Sequence, residues 1–576
     1  MRRSRLLPAF CAGLVFLGEV ACGPASGPRF EISIPQSIAA QPITGRVFVF
    51  ITNDGSREPR FQAGSWSLRA PFFGKDVDQL QPGQPVTIDA STLGYPPGSL
   101  RDIPEGDYHV QALLNVYTRF PRSDGHTIWA HMDQWEGQQF NRSPGNLYST
   151  ETSVHLAPAG YDVKLQLTRT IPPVQVPPDT QWVKRIKIQS QLLTKFWGHP
   201  IYIGATILLP KGYDSHPAVS YPVLYEQGHF DLSPPLGFST HPPTAADRQA
   251  LEDRLGPTTS PVIRDMMKQR LEWGYELYQA WNSANFPRML VVTFQHPTPY
   301  FDDSYAVNSA NDGPYGDALM QELIPYLETH FRIIRQPYAR VLSGGSTGGW
   351  ESLALEVYHP DFFGGTWTFY PDPIDFHRWD VIDLYSDENA FYPPGFQWQI
   401  PRRPWQRDPD GQVLSTEEEE SRMEAVLGSH GRSAQQLDIW QAVYGPVGND
   451  GYPVDVWNKL TGRIDHSVAG YMRDHGYDLD YYIRTNWPKI GPQLAGKLHL
   501  YCGDMDSYYL NLAVYLLDDF LSNVKNPPAQ ASFAYGRPMK PHGWQPMSQA
   551  DLLRMMADFI TKHAPAGQNN SLWKYR

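Results

Sequence analysis

The chain has 576 residues, 41% of them hydrophobic and 13% aromatic, with a formal net charge of −12. That length exceeds one ordinary core, so two or more domains are expected, and the hydrophobic content supplies ample area to bury. The negative balance argues against nucleic acid or an anionic membrane surface as the main partner.

The N-terminus has the form of an export signal, placed over residues 1–27. Arg2, Arg3 and Arg5 precede an apolar stretch from Leu6 to Leu17, and small residues follow in Ala21-Cys22-Gly23-Pro24-Ala25. Val20-Ala21-Cys22 resembles the end of a lipobox, which would place a lipid anchor on Cys22, but Glu19 stands where such motifs carry an aliphatic residue. Ordinary cleavage is therefore the main reading, with the mature protein in the bacterial periplasm, at the cell surface or outside the cell. No later run approaches about 18 apolar residues, so no transmembrane span is expected. Of the three cysteines only Cys502 lies in the body, so no disulfide is expected.

Residues 28–170 read as an all-β accessory domain, a β-sandwich. Runs such as Gly45 to Ile51, Tyr108 to Leu114 and Asp162 to Leu167 have strand length, and turn clusters such as Asn53-Asp54-Gly55 and Pro82-Gly83 separate them. Residues 171–182 form a stiff linker, because the paired prolines of Ile171-Pro172-Pro173-Val174-Gln175-Val176-Pro177-Pro178 disfavour helix and sheet alike. Over residues 183–570 strands alternate with helices. The candidate strands are Tyr202 to Leu209, Tyr221 to Tyr225, Met289 to Phe294, Ala339 to Leu342, Thr366 to Phe369, Lys497 to Cys502 and Ala531 to Tyr535, with helices including Gly316 to Phe331 and Leu510 to Leu521. That alternation predicts the α/β class, a mostly parallel sheet with helices on both faces. Insertions at about 231–287 and 371–494 interrupt it. The second carries Phe376, Trp379, Trp398, Trp405, Trp440 and Trp457, a composition suited to an accessory core with some rings on a binding cleft.

The most informative element is Ser343-Gly344-Gly345-Ser346-Thr347-Gly348-Gly349, a G-x-S-x-G sequence between the apolar Ala339 to Leu342 and a helical segment from Glu351. A serine becomes a nucleophile when a tight turn exposes it to a base beside backbone N–H donors, and the glycines permit that turn. Such a serine needs a histidine as base and a carboxylate to orient it, in the chain order Ser, acid, His. His542, in Pro541-His542-Gly543, is the candidate base, and Asp506 the candidate acid with Asp504 as alternative, both after Lys497 to Cys502. All three groups sit at the C-terminal ends of strands, where open α/β sheets bind ligands. The Thr347 N–H is the natural first oxyanion donor, and His229 or Phe230, after Glu226-Gln227-Gly228, offers the second.

These motifs, with Leu208-Leu209-Pro210-Lys211-Gly212-Tyr213 before Tyr221 to Tyr225 and Gln321 to Tyr326, resemble the putative-esterase branch of α/β-hydrolases. That branch includes esterase D, enterochelin esterases, feruloyl esterases and mycolyltransferases. The resemblance covers roughly Val183 to His563. It implies carboxylic ester hydrolysis through a Ser346 acyl-enzyme, with no cofactor. Thr347 stands where many members carry Met, and Glu226-Gln227-Gly228-His229 replaces the commoner His-Gly-Gly run. An acyltransferase or peptidase on the same triad is the alternative, and a non-catalytic binding protein on a hydrolase scaffold the rival of another class. The partner expected is a small-molecule or glycan-linked ester; the oligomeric state is left open.

Two further signals are set aside. Asp124, His126, His131, Asp133 and Glu136 gather ligand types in one loop, read as a hydrogen-bonded polar loop and not as a metal site. Glu417 to Glu420 reads as a helix start, with Ser415 and Glu418 as its capping box.

Overall fold

Eight strands form the sheet that carries Ser346. In the computed structural model, which describes residues 27–65, 68–255, 259–395 and 401–575, they are β1 (Val183–Ser190), β2 (Ile201–Leu208), β3 (Val223–Gln227), β4 (Leu290–Gln295), β5 (Arg340–Ser346), β6 (Gly365–Pro371), β7 (Leu498–Gly503) and β8 (Ser532–Gly536). The export signal, Cys22 and Trp398 lie outside the described residues. Spatial order is β1-β2-β4-β3-β5-β6-β7-β8. β2 runs antiparallel to β1 and β4, and every pairing from β4 to β8 is parallel. The order reverses at β3 and β4, which opens a crevice at the carboxyl ends of β3 and β5. The central strands are buried on both faces, so Val223, Leu224, Tyr225, Val341 and Leu342 read as unbroken apolar runs.

β1 is the strand the sequence reading omitted. Its Lys184, Arg185 and Lys187 interleave with Val183, Ile186 and Ile188 at a sheet edge, where cations discourage pairing with another chain. The single helix expected over Gly316 to Phe331 is three segments: Tyr315–Ala318, a wide π turn at Leu319–Leu323, and Ile324–His330. Pro325 has no N–H to give to the Gln321 carbonyl, which accounts for the widened turn.

Nine strands of residues 29–170 join in one hydrogen-bonded sheet, with Gly106–Val116 and Ile43–Thr52 its longest members. The sheet curls far enough for Lys75 Nζ to donate to the Thr87 carbonyl at 3.1 Å. Strand Ile43–Thr52 is apolar on both faces for separate reasons. Val47, Val49 and Ile51 enter the core inside the curl. Phe48 and Phe50 point the other way and pack, with Phe140, against Met423, Val426 and Leu427 of helix Glu417–Leu427 in the second insertion. Arg46 reinforces that junction, donating to the Val426 carbonyl at 2.9 Å and to Asp76 Oδ1 at 2.6 Å.

Helix Glu417–Leu427 starts one residue later than the Ser415–Glu418 pairing implied. Thr416 Oγ1 accepts from the Glu419 N–H at 3.3 Å and Glu419 Oε2 from the Thr416 N–H at 2.9 Å, so the box lies one position on. In the loop of candidate metal ligands, His131 Nε2 lies 2.9 Å from Glu136 Oε1, and Asp133 accepts from the Trp135 and Gln138 N–H groups. Among the described residues no helix is long and apolar enough to cross a membrane. Cys502 is buried and free.

Candidate active site

Ser346 is the last residue of β5, and helix Thr347–Tyr358 begins at the next position. Its φ of 60° and ψ of −123° lie in a region that side chains avoid, at a cost on the order of 1–3 kcal/mol. Two glycines make that turn possible. A Cβ on Gly344 would lie 2.1 Å from the Gly348 carbonyl oxygen, and one on Gly348 would lie 2.1 Å from that of Gln227. Helix and strands therefore approach backbone to backbone, and the serine is pushed out at the sheet's carboxyl edge.

His542 follows β8, and its Nδ1 lies 2.9 Å from Asp506 Oδ2. Asp506 is fully buried; its Oδ1 accepts from the Tyr508 N–H at 2.9 Å, which fixes the carboxylate. Asp504 faces elsewhere, accepting the Lys540 N–H at 3.1 Å and so bracing the loop that leads to His542. The imidazole stands edge-on to the rings of Tyr370 and Tyr508, with centroids 4.7 and 4.9 Å away. Ser346 and His542 line one cavity of about 600 Å³.

The Ser346 hydroxyl, however, donates to Asp372 Oδ1 at 3.2 Å and not to His542. Asp372 directly follows β6 and is buried. Its Oδ2 accepts from Tyr305 OH at 2.6 Å, Thr347 Oγ1 at 3.0 Å and Gln436 Nε2 at 3.1 Å. Burial pushes this carboxyl above the usual carboxylate range, while the Tyr305 and Thr347 hydrogen bonds pull the other way. Sequence reasoning missed Asp372. The one signal for it is position, an acid at the carboxyl end of a strand beside β5.

Thr347 is buried at the helix start, where N–H groups carry partial positive charge. His229 lines the cavity, and its Nδ1 lies 3.1 Å from Asp302 Oδ1 and 3.3 Å from Asp303 Oδ2. Desolvation opposes charge on that ring, but the two carboxylates outweigh it and hold its pKa well above the usual histidine range. Phe230 instead packs its ring edge-on against Trp135, 5.2 Å away. His229 with Asp302 and Asp303, and Asp375 with His377 and Asp478, are the groups among the described residues whose ligand atoms converge enough to hold a metal ion. Both are already paired internally, His377 Nδ1 lying 2.8 Å from Asp375 Oδ1.

The cavity walls come from three parts of the chain. The second insertion gives Trp405, Gln436 and Trp440, so two of its largely buried aromatic residues border the cleft while Phe376, Trp379 and Trp457 do not. The first insertion gives Arg270. The N-terminal region gives Gly64 and the loop residues 137–141, including Phe140.

Residues 202–371 match the family described as Putative esterase. No curated protein matches the chain. Among solved structures, a ferulic acid esterase is 15% identical with a TM-score of 0.33, over 66% of this chain and 98% of that one. FphF, a fluorophosphonate-binding serine hydrolase of Staphylococcus aureus, is 12% identical with a TM-score of 0.30, over 66% and 98%. The S-formylglutathione hydrolase FrmB of Staphylococcus aureus is 13% identical with a TM-score of 0.28, over 66% and 99%. The stretch that matches the putative esterase family, residues 202–371, includes the Ser346 turn and ends just before Asp372.

Proposed function

We propose that the protein is an exported carboxylic ester hydrolase that works through a Ser346 acyl-enzyme. His542 takes the serine proton and later returns it to the leaving alcohol. Asp506, on Nδ1, leaves the other ring nitrogen free for Ser346 and stabilises the charged ring. The Thr347 N–H and the amide of His229 or Phe230 receive the oxyanion. Acylation first requires the Ser346 hydroxyl to leave Asp372 and turn to His542. The observation that carries this reading is the strained Ser346 in the same cavity as a histidine held by a buried carboxylate.

The alcohol half of the ester is proposed to be hydroxyl-rich, as in a glycan ester. Trp405, Trp440 and Tyr508 bring aromatic rings, and Gln139, Asn141 and Gln435 bring amides, to the border of the same cavity. Residues 28–170 then act as an accessory domain that supplies one wall of the site.

A fluorophosphonate probe is expected to label the wild type and spare Ser346→Ala; equal labelling would remove the acyl-enzyme. Asp506→Asn is expected to lose about 10⁴-fold in kcat on an acetyl ester, the scale seen when a triad histidine loses its orienting carboxylate. Asp504→Asn should lose far less, and the reverse ranking would reassign the acid.

A further inference from the structure

A second cavity, of about 320 Å³, lies behind the nucleophile strand. Ser343, Gly344 and Gly345 form one side of it, and Glu226 and Gln227 line it too. Arg270 and Tyr370 border both this cavity and the catalytic one, so they form the partition between them. A Cβ on Gly345 would lie 2.5 Å from Tyr370 OH, which places that hydroxyl directly over the residue before the nucleophile.

Arg270 stands on helix Pro261–Asn282, and its Nη2 donates to the Tyr370 hydroxyl at 2.9 Å. Among the described residues no carboxylate lies within ion-pair distance of it. The other cationic candidates on the catalytic cavity are paired, His229 with Asp302 and Asp303, and His542 with Asp506. Gln227 is 4% exposed, and neither its amide nitrogen nor its amide oxygen has a partner. A guanidinium fork with no carboxylate partner, lining the same cavity as an unsatisfied buried amide, is an arrangement that a planar anion completes.

We propose that the two cavities form one divided substrate site in which Arg270 binds a carboxylate on the acid half of the ester, with the Gln227 amide as a further polar contact. This rests on the Ser346 esterase reading and adds the substrate class, monoesters of dicarboxylic acids. The acids Asp302, Asp372 and Glu420 line the catalytic cavity but not the second one. Glu226 is the carboxyl that does. Its Oε2 accepts from Thr293 Oγ1 at 2.9 Å and the Leu236 N–H at 3.0 Å, and burial raises its pKa to about 7. Below that pH it is largely neutral and repels an incoming carboxylate little.

The test is calorimetric binding of glutarate and of glutaramide to the Ser346→Ala protein, whose result does not depend on turnover. Glutarate is expected to bind at least about tenfold tighter than glutaramide at pH 6, with the advantage shrinking by pH 8 as Glu226 ionises. Arg270→Gln should abolish the preference and Arg270→Lys keep part of it, with melting temperatures measured alongside. Equal binding of the two ligands by the parent protein would overturn the inference whatever the variants do, as would a preference that survives Arg270→Gln. Failure of the esterase reading shows separately, as loss of Ser346-dependent labelling with glutarate binding intact.

Discussion

Two acceptors compete for the Ser346 proton. Asp372 accepts it in the resting structure, and in the proposed mechanism His542 receives it for acyl transfer. A hydrogen bond to an ionised group contributes about 1.5–3 kcal/mol, enough to keep the hydroxyl turned away until substrate or protonation of Asp372 releases it. Since burial raises the Asp372 carboxyl, the wild type should show an ionisation above the ordinary carboxylate range in the pH profile of phosphonate labelling. Asp372→Asn removes that ionisation. It also turns an NH₂ toward a carboxylate site built for four donors, so unfolding in urea should show a loss of about 1–3 kcal/mol. Superimposable labelling profiles would mean that Asp372 has no hold on the nucleophile. This residue was not legible in the sequence because its partners Tyr305, Thr347 and Gln436 come from three separate segments. By contrast, Ser346, Asp506 and His542 each sit beside a glycine or a strand end that marks a local turn, and local signals survive without the fold.

At the level of elements, the second insertion does more than roof the cleft. Its short strand Pro404–Arg407 reaches the loop that carries Asp506. Arg407 Nε donates to the Asp506 carbonyl at 2.9 Å, its Nη2 to Asn511 Oδ1 at 3.1 Å, and its N–H to the Ser507 carbonyl at 2.8 Å. Next to it Trp405 packs edge-on against Tyr508, which in turn borders His542. The acid's loop is thus fixed by a segment about 100 residues away in the chain, as a supporting shell fixes a catalytic group. Arg407→Ala is expected to lower kcat about 10–100-fold, with Arg407→Lys recovering part because an ammonium can reach one acceptor but not both. An unchanged kcat in Arg407→Ala would show that the loop holds itself. The parallel strands were readable because burial on both faces leaves apolar runs. The edge strand Val183–Ser190 was not, because its alternating lysines and arginines look like a continuation of the polar linker.

For the whole molecule, the question is whether the N-terminal sheet is an appendage or part of the enzyme. Its outer face is covered by the second insertion: Phe48, Phe50, Phe72 and Leu113 share one apolar cluster with Met423, Val426 and Leu427, each of the last three no more than 2% exposed. Baring such a side chain costs about 1.5–3 kcal/mol, and three of them amount to a large fraction of a typical folding free energy. The same contact sets the catalytic cavity. Phe140 packs on Phe48 with centroids 5.1 Å apart and also lines the cleft, so the wall near Ser346 rests on this cluster. A chain beginning at Pro177 should therefore fail as an enzyme and not merely lose a binding accessory. The expected result is an aggregating or dye-binding protein by size exclusion and ANS fluorescence, with kcat/KM on a small acetyl ester down at least about 100-fold. In the intact chain, Phe140→Ala should cost about 3–5 kcal/mol of stability and raise KM on the same ester. A truncated protein that is monodisperse and keeps wild-type kcat/KM would show that the helix Glu417–Leu427 stands without its partner sheet, and that residues 28–170 have no part in the catalytic architecture.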